Sequence, residues 1–160
     1  MERSRIDAYI AGGPRLVDAF SGLTSEDFTA IPIPGTWSLQ QIAVHLFDSD
    51  LIGADRIKRV ACMDRPLLIG YDQTAFSQLP GVNLIDAVQA CRIVAQTREL
   101  TGIILRNLPD AAFELWGIHN EVGKVTLAEL VEKYIHHLEG HLAHVKKKRE
   151  ILGKPLSPSF

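Results

Sequence analysis

The sequence predicts an all-α protein built as a four-helix bundle with long loops between its helices. Apolar residues recur mostly three and four positions apart, the periodicity of helices that bury one face. Polar and apolar residues nowhere alternate convincingly, so strand signals are scarce. Capping residues, prolines and glycines divide the chain into four long helical segments. These segments cover about residues 3 to 21, 39 to 62, 84 to 107 and 126 to 152.

The first helix is interrupted by the run Gly12-Gly13-Pro14. Proline lacks a backbone donor and clashes with the preceding turn, so this run predicts either a kink or two shorter helices, and we favour the kink. The apolar stripe on both sides of the run consists of Ile6, Tyr9, Ile10, Leu16, Val17 and Phe20. One face of this helix is therefore expected to be buried.

The second helix follows residues 31 to 35, a segment that cannot be helical because it contains two prolines and a glycine. Ser38 and Gln41 then form a capping box, which places the start of the helix at about residue 39. Trp37, beside this cap, is interpreted as a core side chain, because large aromatic residues dominate core burial.

The third helix follows a long connection from residue 64 to 82, which is more typical of an ordered loop over a site than of an idle linker. Within it, Tyr71-Asp72-Gln73 is either an ordinary turn or part of a pocket. Asn83, with Asp86 three residues on, is expected to open the helix, and Pro109 is expected to close it.

The fourth helix opens at a capping box formed by Thr126 and Glu129 and ends before Gly153. Its last turns carry the basic run 146 to 149. Cations there favour the negative end of the helix dipole, so this run is interpreted as a solvated helix end rather than a binding patch.

Length and composition indicate one domain spanning residues 1 to 160. The chain is 46% hydrophobic and 22% charged, and at this length a core forms without help from disulfides or metal. Any bound metal is therefore expected to be functional. A formal net charge of -2 argues against a nucleic-acid partner.

The two cysteines, Cys62 and Cys91, lie far apart and lack the spacing of a zinc site. Both are therefore expected to be small core residues in a reducing cytoplasm. The N-terminus is charged rather than apolar, and no apolar stretch is long enough to span a membrane. We expect a cytoplasmic protein that has no membrane partner.

Four of the six histidines lie within residues 134 to 144 of the fourth helix. At about 100° per residue, His141 lies about 40° from His137, and His144 about 20° to the other side. These three share one stripe beside the apolar residues, whereas His136 falls on the far side and is expected to face water. The spacing of His137 and His141 allows two imidazoles to bind one ion.

His45 lies on an inward-facing strip of the second helix and could supply a third ligand. Asp48, Ser49 and Arg56 lie on or near the same side, and burying so many polar groups is costly without a metal or a polar ligand. Three histidines would leave one coordination position open for water or substrate, as in catalytic sites. Zinc, nickel, iron and manganese are the candidate ions.

On spacing alone, core histidines that donate to backbone carbonyls are the alternative, especially for His45. His144 is expected at the rim of the site, and His119 has no assigned role. Asp48 or His144 could also close the site as a fourth protein ligand. A closed, structural site is less consistent with a chain that needs no metal to fold.

Several of these segments together resemble the DinB/YfiT-like family over about residues 31 to 150. They are Pro34-Gly35-Thr36-Trp37-Ser38, Gln41 to His45, Asp48-Ser49, Arg56, Tyr71-Asp72-Gln73 and His137 to His144. The resemblance implies an up-down-down-up bundle, a homodimer as in several members, and a divalent metal, commonly zinc or nickel. By the family's motif, the metal ligands correspond to His45, His137 and His141.

The same resemblance implies two chemistries for a small-molecule substrate. Some members transfer a low-molecular-weight thiol such as bacillithiol, mycothiol or glutathione to an electrophile, and others are regarded as metal-dependent hydrolases. An open three-histidine site suits both, because a bound ion lowers the pKa of a water or a thiol. A non-catalytic metal-binding stress or interaction protein is the alternative.

Proton transfer in either reaction needs a further group. Glu139 lies on the outer face of its helix, which leaves Asp48, His144 or the activated nucleophile itself, and Asp48 is the predicted catalytic residue. The open position of the metal is expected to face a pocket bordered by the loop from residue 63 to 82.

Overall fold

Four long helices form the framework of the computed structural model, which describes residues 2–157 and 160. The helices are α1 (Arg3–Phe20), α2 (Ser25–Thr29), α3 (Leu39–Cys62), α4 (Gln73–Ser77), α5 (Ala87–Asn107) and α6 (Leu127–Ile151). Of these, α2 and α4 are single turns in the connections. The predicted four-helix bundle is confirmed. Within the described residues, no helix is long and apolar enough to cross a membrane.

Side-chain caps define the starts of α3 and α6 as predicted. The Ser38 hydroxyl accepts the Gln41 N–H at 3.2 Å, while the Gln41 side chain accepts the Ser38 N–H at 3.0 Å. Thr126 and Glu129 form the same reciprocal pair at the start of α6. Each pair satisfies backbone donors that the first helical turn would otherwise leave unpaired.

Helix α5 begins later than predicted. Its cap is Asp86, whose side chain accepts the Gln89 N–H at 2.9 Å. Asn83 lies instead inside a separate 3-10 turn, Val82–Leu84, so it cannot take the extended backbone of an N-terminal cap. The prediction that Asn83 opens this helix is therefore wrong.

Helix α1 continues through Pro14 and does not divide into two shorter helices. The preceding glycine permits a close helix contact, because a Cβ placed on Gly13 would lie 2.7 Å from the Cα of Ala95 in α5. The Gly-Gly-Pro run therefore serves the packing of α1 against α5 rather than a break in the chain.

Contacts along the helices establish how α1, α5 and α6 are oriented. Arg3, at the start of α1, donates to the Leu105 carbonyl near the end of α5, so these two helices run antiparallel. Arg149, near the end of α6, donates to the Ala19 carbonyl near the end of α1, so α1 and α6 run parallel.

Helix α3 completes the bundle by packing against α5 and α6. Gly53, in the second half of α3, lies against the Tyr134 ring in the first half of α6. His45, nearer the start of α3, lies against His141, farther along α6. Helices α3 and α6 are therefore antiparallel, and the bundle has the up-down-down-up order that the family resemblance implies.

A small three-stranded sheet lies where α3 and α5 end and α6 begins. Its strands are β1 (Leu67–Leu68), β2 (Trp116–His119) and β3 (Gly123–Thr126). Strand β1 pairs with β2 in parallel, and β2 pairs with β3 antiparallel. This sheet was not predicted from the sequence, because strands of two and four residues are too short to display an alternating pattern.

The interior contains two apolar clusters, one above the other along the bundle axis. The first includes Phe20, Leu46, Val94 and Leu142, and the second includes Ile57, Leu105, Phe113 and Leu130. Along α3 and α5, the ion pair between Asp50 and Arg98 lies between the two clusters, and both of its side chains are 1% exposed.

Two predictions about burial are wrong. Cys62, the last residue of α3, is exposed, whereas Cys91 is buried as predicted. Lys148 and Arg149 are 2% and 7% exposed, so only the first half of the basic run is solvated. Both residues lie on the inward side of α6, where helical phase decides burial in spite of side-chain charge.

Candidate metal centre

The three predicted ligands converge between α3 and α6. His45 comes from the first half of α3, and His137 and His141 lie one turn apart in the middle of α6. One ring nitrogen of each lies within 4.8 Å of those of the other two. The Nε2 atoms of His45 and His137 are 3.0 Å apart. The structure therefore brings together the three residues that the sequence predicted as ligands.

The geometry of these imidazoles fits a divalent metal ion. Zinc–nitrogen bonds of about 2.0 to 2.1 Å in a tetrahedral site put neighbouring nitrogens about 3.3 Å apart, close to the distance between His45 and His137. The Nδ1 atoms of His45 and His141 are buried without a hydrogen-bond partner among the described residues. A satisfied core histidine would have such a partner, so the core-histidine alternative is disfavoured.

Burial keeps the three imidazoles neutral at physiological pH. It lowers the pKa of His45 to about 4 and the pKa of His141 to about 4. Burial also lowers the pKa of His137 to about 3, with smaller contributions from its two neighbouring histidines. A neutral imidazole offers a free lone pair, so all three side chains are in the form that binds metal.

Trp37 and Ser49 lie against the ligands. The Trp37 ring is within 5° of parallel to the His141 ring at 6.3 Å between centroids, and its centroid is 4.9 Å from that of His45. Ser49 Oγ lies 3.5 Å from Nδ1 of His137. Trp37 also packs against the first apolar cluster, as predicted. Its contact with the ligands was missed because Trp37 precedes α3, where helical spacing predicts nothing.

The loop after α3 reaches the other flank of the histidines through Tyr71. Burial raises the pKa of Tyr71, and the Ser49 hydroxyl lies close enough to lower it partly. Arg56 connects this loop to α6, because its guanidinium donates to the Tyr134 hydroxyl at 3.2 Å and to the Ile69 carbonyl. Tyr71 therefore lies near Ser49 of the site, whereas Asp72 caps α4 by accepting the Ala75 N–H at 2.9 Å and Gln73 begins that exposed turn of helix.

Neither candidate fourth ligand joins the group of three within the part of the chain that the structure describes. Asp48 is half-buried on α3, and burial raises its pKa. His144 is exposed, and its ring centroid lies 6.2 Å from that of His141. The predicted catalytic role of Asp48 stays a prediction.

The remaining histidines lie apart from this group. His119, without an assigned role from the sequence, is buried at the end of β2, where its Nδ1 accepts the Glu121 N–H at 3.2 Å. His136 has a 75% exposed side chain, 3.7 Å from Glu132. The prediction that His136 faces water is confirmed.

A cavity of 320 Å³ adjoins the ligand His141. It is lined by Ile33, Gly35, Thr36, Trp37, Ile42, His141, His144 and Lys148. The segment before α3, the first turn of α3 and the second half of α6 form its walls. The loop from residue 63 to 82, which was expected to border the pocket of the metal, does not line this cavity.

Two relatives resemble this chain in sequence. A protein from Oceanobacillus iheyensis is 25% identical over 132 residues, which cover 82% of this chain and 76% of the relative. YfiT from Bacillus subtilis is 25% identical over 120 residues, which cover 74% of this chain and 67% of YfiT. The names of both describe candidate metal-dependent hydrolases.

The fold likeness is closer than the sequence likeness. The solved structure of Bacillus subtilis YfiT matches with a TM-score of 0.88 at 22% identity, covering 94% of this chain and 86% of that chain. It is described as an unusual four-helix bundle topology. The DinB superfamily matches residues 9–145, a span that contains all three converging histidines. The chain therefore belongs to the DinB superfamily.

Proposed function

We propose that the protein is a metal-dependent enzyme that uses an open three-histidine site to activate a water molecule or a low-molecular-weight thiol. The observation that carries this proposal is the convergence of three neutral imidazoles without a fourth ligand among the described residues. Structural metal sites are closed by four protein ligands, whereas catalytic sites keep one position free.

Each residue around the site has a distinct part in this proposal. His45, His137 and His141 would hold the ion, for which zinc and nickel are proposed ahead of iron and manganese. When bound, such an ion supplies Lewis-acid chemistry that makes water or a thiol nucleophilic at neutral pH. Ser49 orients the ring of His137, and Trp37 shields one side of the ligands from water.

Asp48 is the proposed proton acceptor. It lies one helical turn from His45 on the same helix, and burial raises its pKa, which makes its carboxylate a stronger base. Hydrolysis is the first candidate reaction because the names of the relatives describe it, and thiol transfer is the second because the family resemblance includes it.

The experiment measures metal content and activity together. Purified protein is analysed for metals and then assayed against ester, amide and thiol-transfer substrates before chelation, after chelation and after the metal is restored. We expect activity to follow metal content and to be lost in His141→Ala, with His136→Ala as the matched control. Activity that survives complete metal removal would contradict the proposal, and stoichiometric metal without any activity would favour the non-catalytic alternative.

The homodimer and the cytoplasmic location are also part of the proposal. Light scattering of the purified protein tests the first, and fractionation of the source cells tests the second. A monomer over the whole concentration range would remove the dimer from the proposal.

A further inference from the structure

The buried ammonium of Lys148 lacks an anionic partner. Lys148 is 2% exposed, and its Nζ donates to the Thr36 hydroxyl at 2.6 Å. No carboxylate in the described part of the chain lies within ion-pair distance of it. Burial lowers the pKa of Lys148, as expected for a cation that loses water without gaining a counter-charge.

Two of the other buried cations, Arg98 and Arg149, are better satisfied. Arg98 forms an ion pair with Asp50 and also donates to two backbone carbonyls. Arg149, the neighbour of Lys148, donates to the carbonyls of three residues. Lysine has three N–H donors. A single hydrogen bond to a hydroxyl offsets little of the free energy that is lost when its charge is buried. Arg56 also lacks a carboxylate and leaves its Nε unpaired among the described residues, but it donates two hydrogen bonds and does not line the cavity beside His141. Lys148 is therefore the buried cation of that cavity that can take a further ligand.

Lys148 lines the same 320 Å³ cavity that adjoins the metal ligand His141. The two residues lie about 10 Å apart along the helix axis, and helical side chains lean toward the N-terminus, which brings the ammonium closer to His141. The lining also includes the apolar side chains of Ile33, Trp37 and Ile42, together with the exposed imidazole of His144. The cavity therefore has a proposed metal ligand at one end, a buried cation at the other, and a mostly apolar lining with one exposed imidazole.

We propose that this cavity binds the substrate and that Lys148 recognises a carboxylate on it. The substrate class is a small organic acid whose apolar middle packs on Trp37 and whose reacting end reaches the metal. This inference rests on the proposed function, because it assigns the substrate of the same site. The Thr36 hydroxyl accepts one N–H of the ammonium, which leaves two further N–H donors for a carboxylate.

The test uses cobalt-substituted protein and two thiols of equal length, mercaptohexanoate and mercaptohexanol. Thiol binding is followed by the visible spectrum of the cobalt ion. We expect the parent to bind the carboxylate thiol about tenfold or more tightly than the alcohol, because a hydrogen bond to a charged group gives a preference of that order. Lys148→Met should lose this preference, and Lys147→Met, which changes an exposed neighbour, should keep it.

A second variant separates ligand recognition from a structural role of Lys148. Thr36→Val removes the internal hydrogen bond and leaves the cation, so the preference for mercaptohexanoate should persist. If Lys148 merely fastens the segment before α3, Thr36→Val and Lys148→Met should show the same affinities and the same loss of thermal stability. That result, or equal affinity of the parent for both thiols, would overturn the proposal.

Metal-free protein gives a measurement that does not depend on the proposed function. Hexanoate and hexanol are titrated while the amide signals of Thr36 and Trp37 are followed by NMR. We expect saturable shifts with hexanoate only, which Lys148→Met abolishes. If neither thiol changes the cobalt spectrum but hexanoate binds, the open metal site is contradicted and the anion site stands. If hexanoate does not bind the metal-free parent, the anion site fails.

Discussion

The bundle buries two polar centres of opposite character. One is the ion pair between Asp50 and Arg98, and the other is the group of three histidines, which lies before Asp50 on α3 and after Tyr134 on α6. The Arg98 guanidinium donates to both carboxylate oxygens of Asp50 at 2.6 and 3.2 Å and to the backbone carbonyls of Tyr9 and Tyr134. The histidines, in contrast, leave two buried ring nitrogens without hydrogen bonds in the described structure.

The difference shows how hydrogen-bond completeness separates a structural centre from a binding centre. A complete network has no capacity for another ligand, so the pair of Asp50 and Arg98 fixes how α3 and α5 pack. The histidines have no such network, and one ring nitrogen from each of three neutral imidazoles converges where a single ion could bind them. Burial alone would not have distinguished the two centres, and neither would residue polarity.

The largest expected effect is the loss of metal from the incomplete centre. His141→Ala should abolish stoichiometric metal binding, because two remaining imidazoles hold a divalent ion weakly. The helix content of the metal-free variant, measured by circular dichroism, should match that of the parent. Metal analysis of His136→Ala is the control, and full metal content in His141→Ala would show that the ligands are assigned wrongly.

Breaking the ion pair between Asp50 and Arg98 should change the stability of the protein rather than its metal content. Arg98→Met should lower the free energy of unfolding by about 3 to 5 kcal/mol, because it leaves the Asp50 carboxylate buried and unpaired. Urea unfolding measures the loss, and adding Asp50→Asn to the same variant should recover part of it. A loss of less than about 1 kcal/mol would mean that the pair contributes little to packing.

The stability that Arg98→Met loses relative to the parent should depend on pH. Burial raises the pKa of Asp50 while Arg98 lowers it, so removing the arginine leaves burial as the dominant influence. A raised pKa in the folded state means that stability is present while the carboxyl is protonated and is lost as pH rises through that pKa. The deficit of the variant relative to the parent should therefore shrink toward acidic pH, and urea unfolding at several pH values checks this.

Metal should stabilise the parent through the histidines alone. At a free metal concentration of 100 times Kd, binding to the folded state adds about 2.7 kcal/mol to the free energy of unfolding. The same concentration should have no such effect on His141→Ala. Equal stabilisation of both proteins would place the metal somewhere else on the chain.

The smallest expected effect concerns the hydroxyl beside the ligands. Ser49→Ala should weaken metal binding about tenfold, because a residue that orients a ligating imidazole contributes at that level. Competition with a chromophoric chelator measures the affinity. An unchanged affinity would show that the 3.5 Å contact between Ser49 and His137 does not orient the ring.

Helical phase was sufficient to predict which way many side chains of α6 point. An uninterrupted helix fixes the direction of every side chain, so the sequence alone paired His137 with His141 and set His136 aside. His45 is different, because no spacing rule relates positions 92 residues apart: its inward-facing strip made it a candidate third ligand, and the family resemblance favoured this role over that of a core histidine. The same phase rule places Lys148 with Tyr134, His141 and Val145, but its charge led to the wrong prediction of a solvated end.

The missed features share a physical reason. Arg98 lies among Cys91, Val94, Thr101 and Leu105 at spacings of three and four, so its burial was readable from the sequence. Its partner Asp50 was not, because pairing between helices depends on how they dock. The sheet depends likewise on tertiary contact, since β1 and β2 are far apart in sequence and each is too short to be stable alone.

The proposed ligands come from α3 and α6, and this has a consequence for when the site can form during synthesis. His45 leaves the ribosome long before His137 and His141, so a growing chain has no metal site until its last long helix has emerged and docked. Closing so long a loop is slow and entropically costly, which makes site formation a late event in folding. Metal uptake should therefore be restricted to the folded bundle: an ion would be retained only by chains in which α6 has already docked against α3.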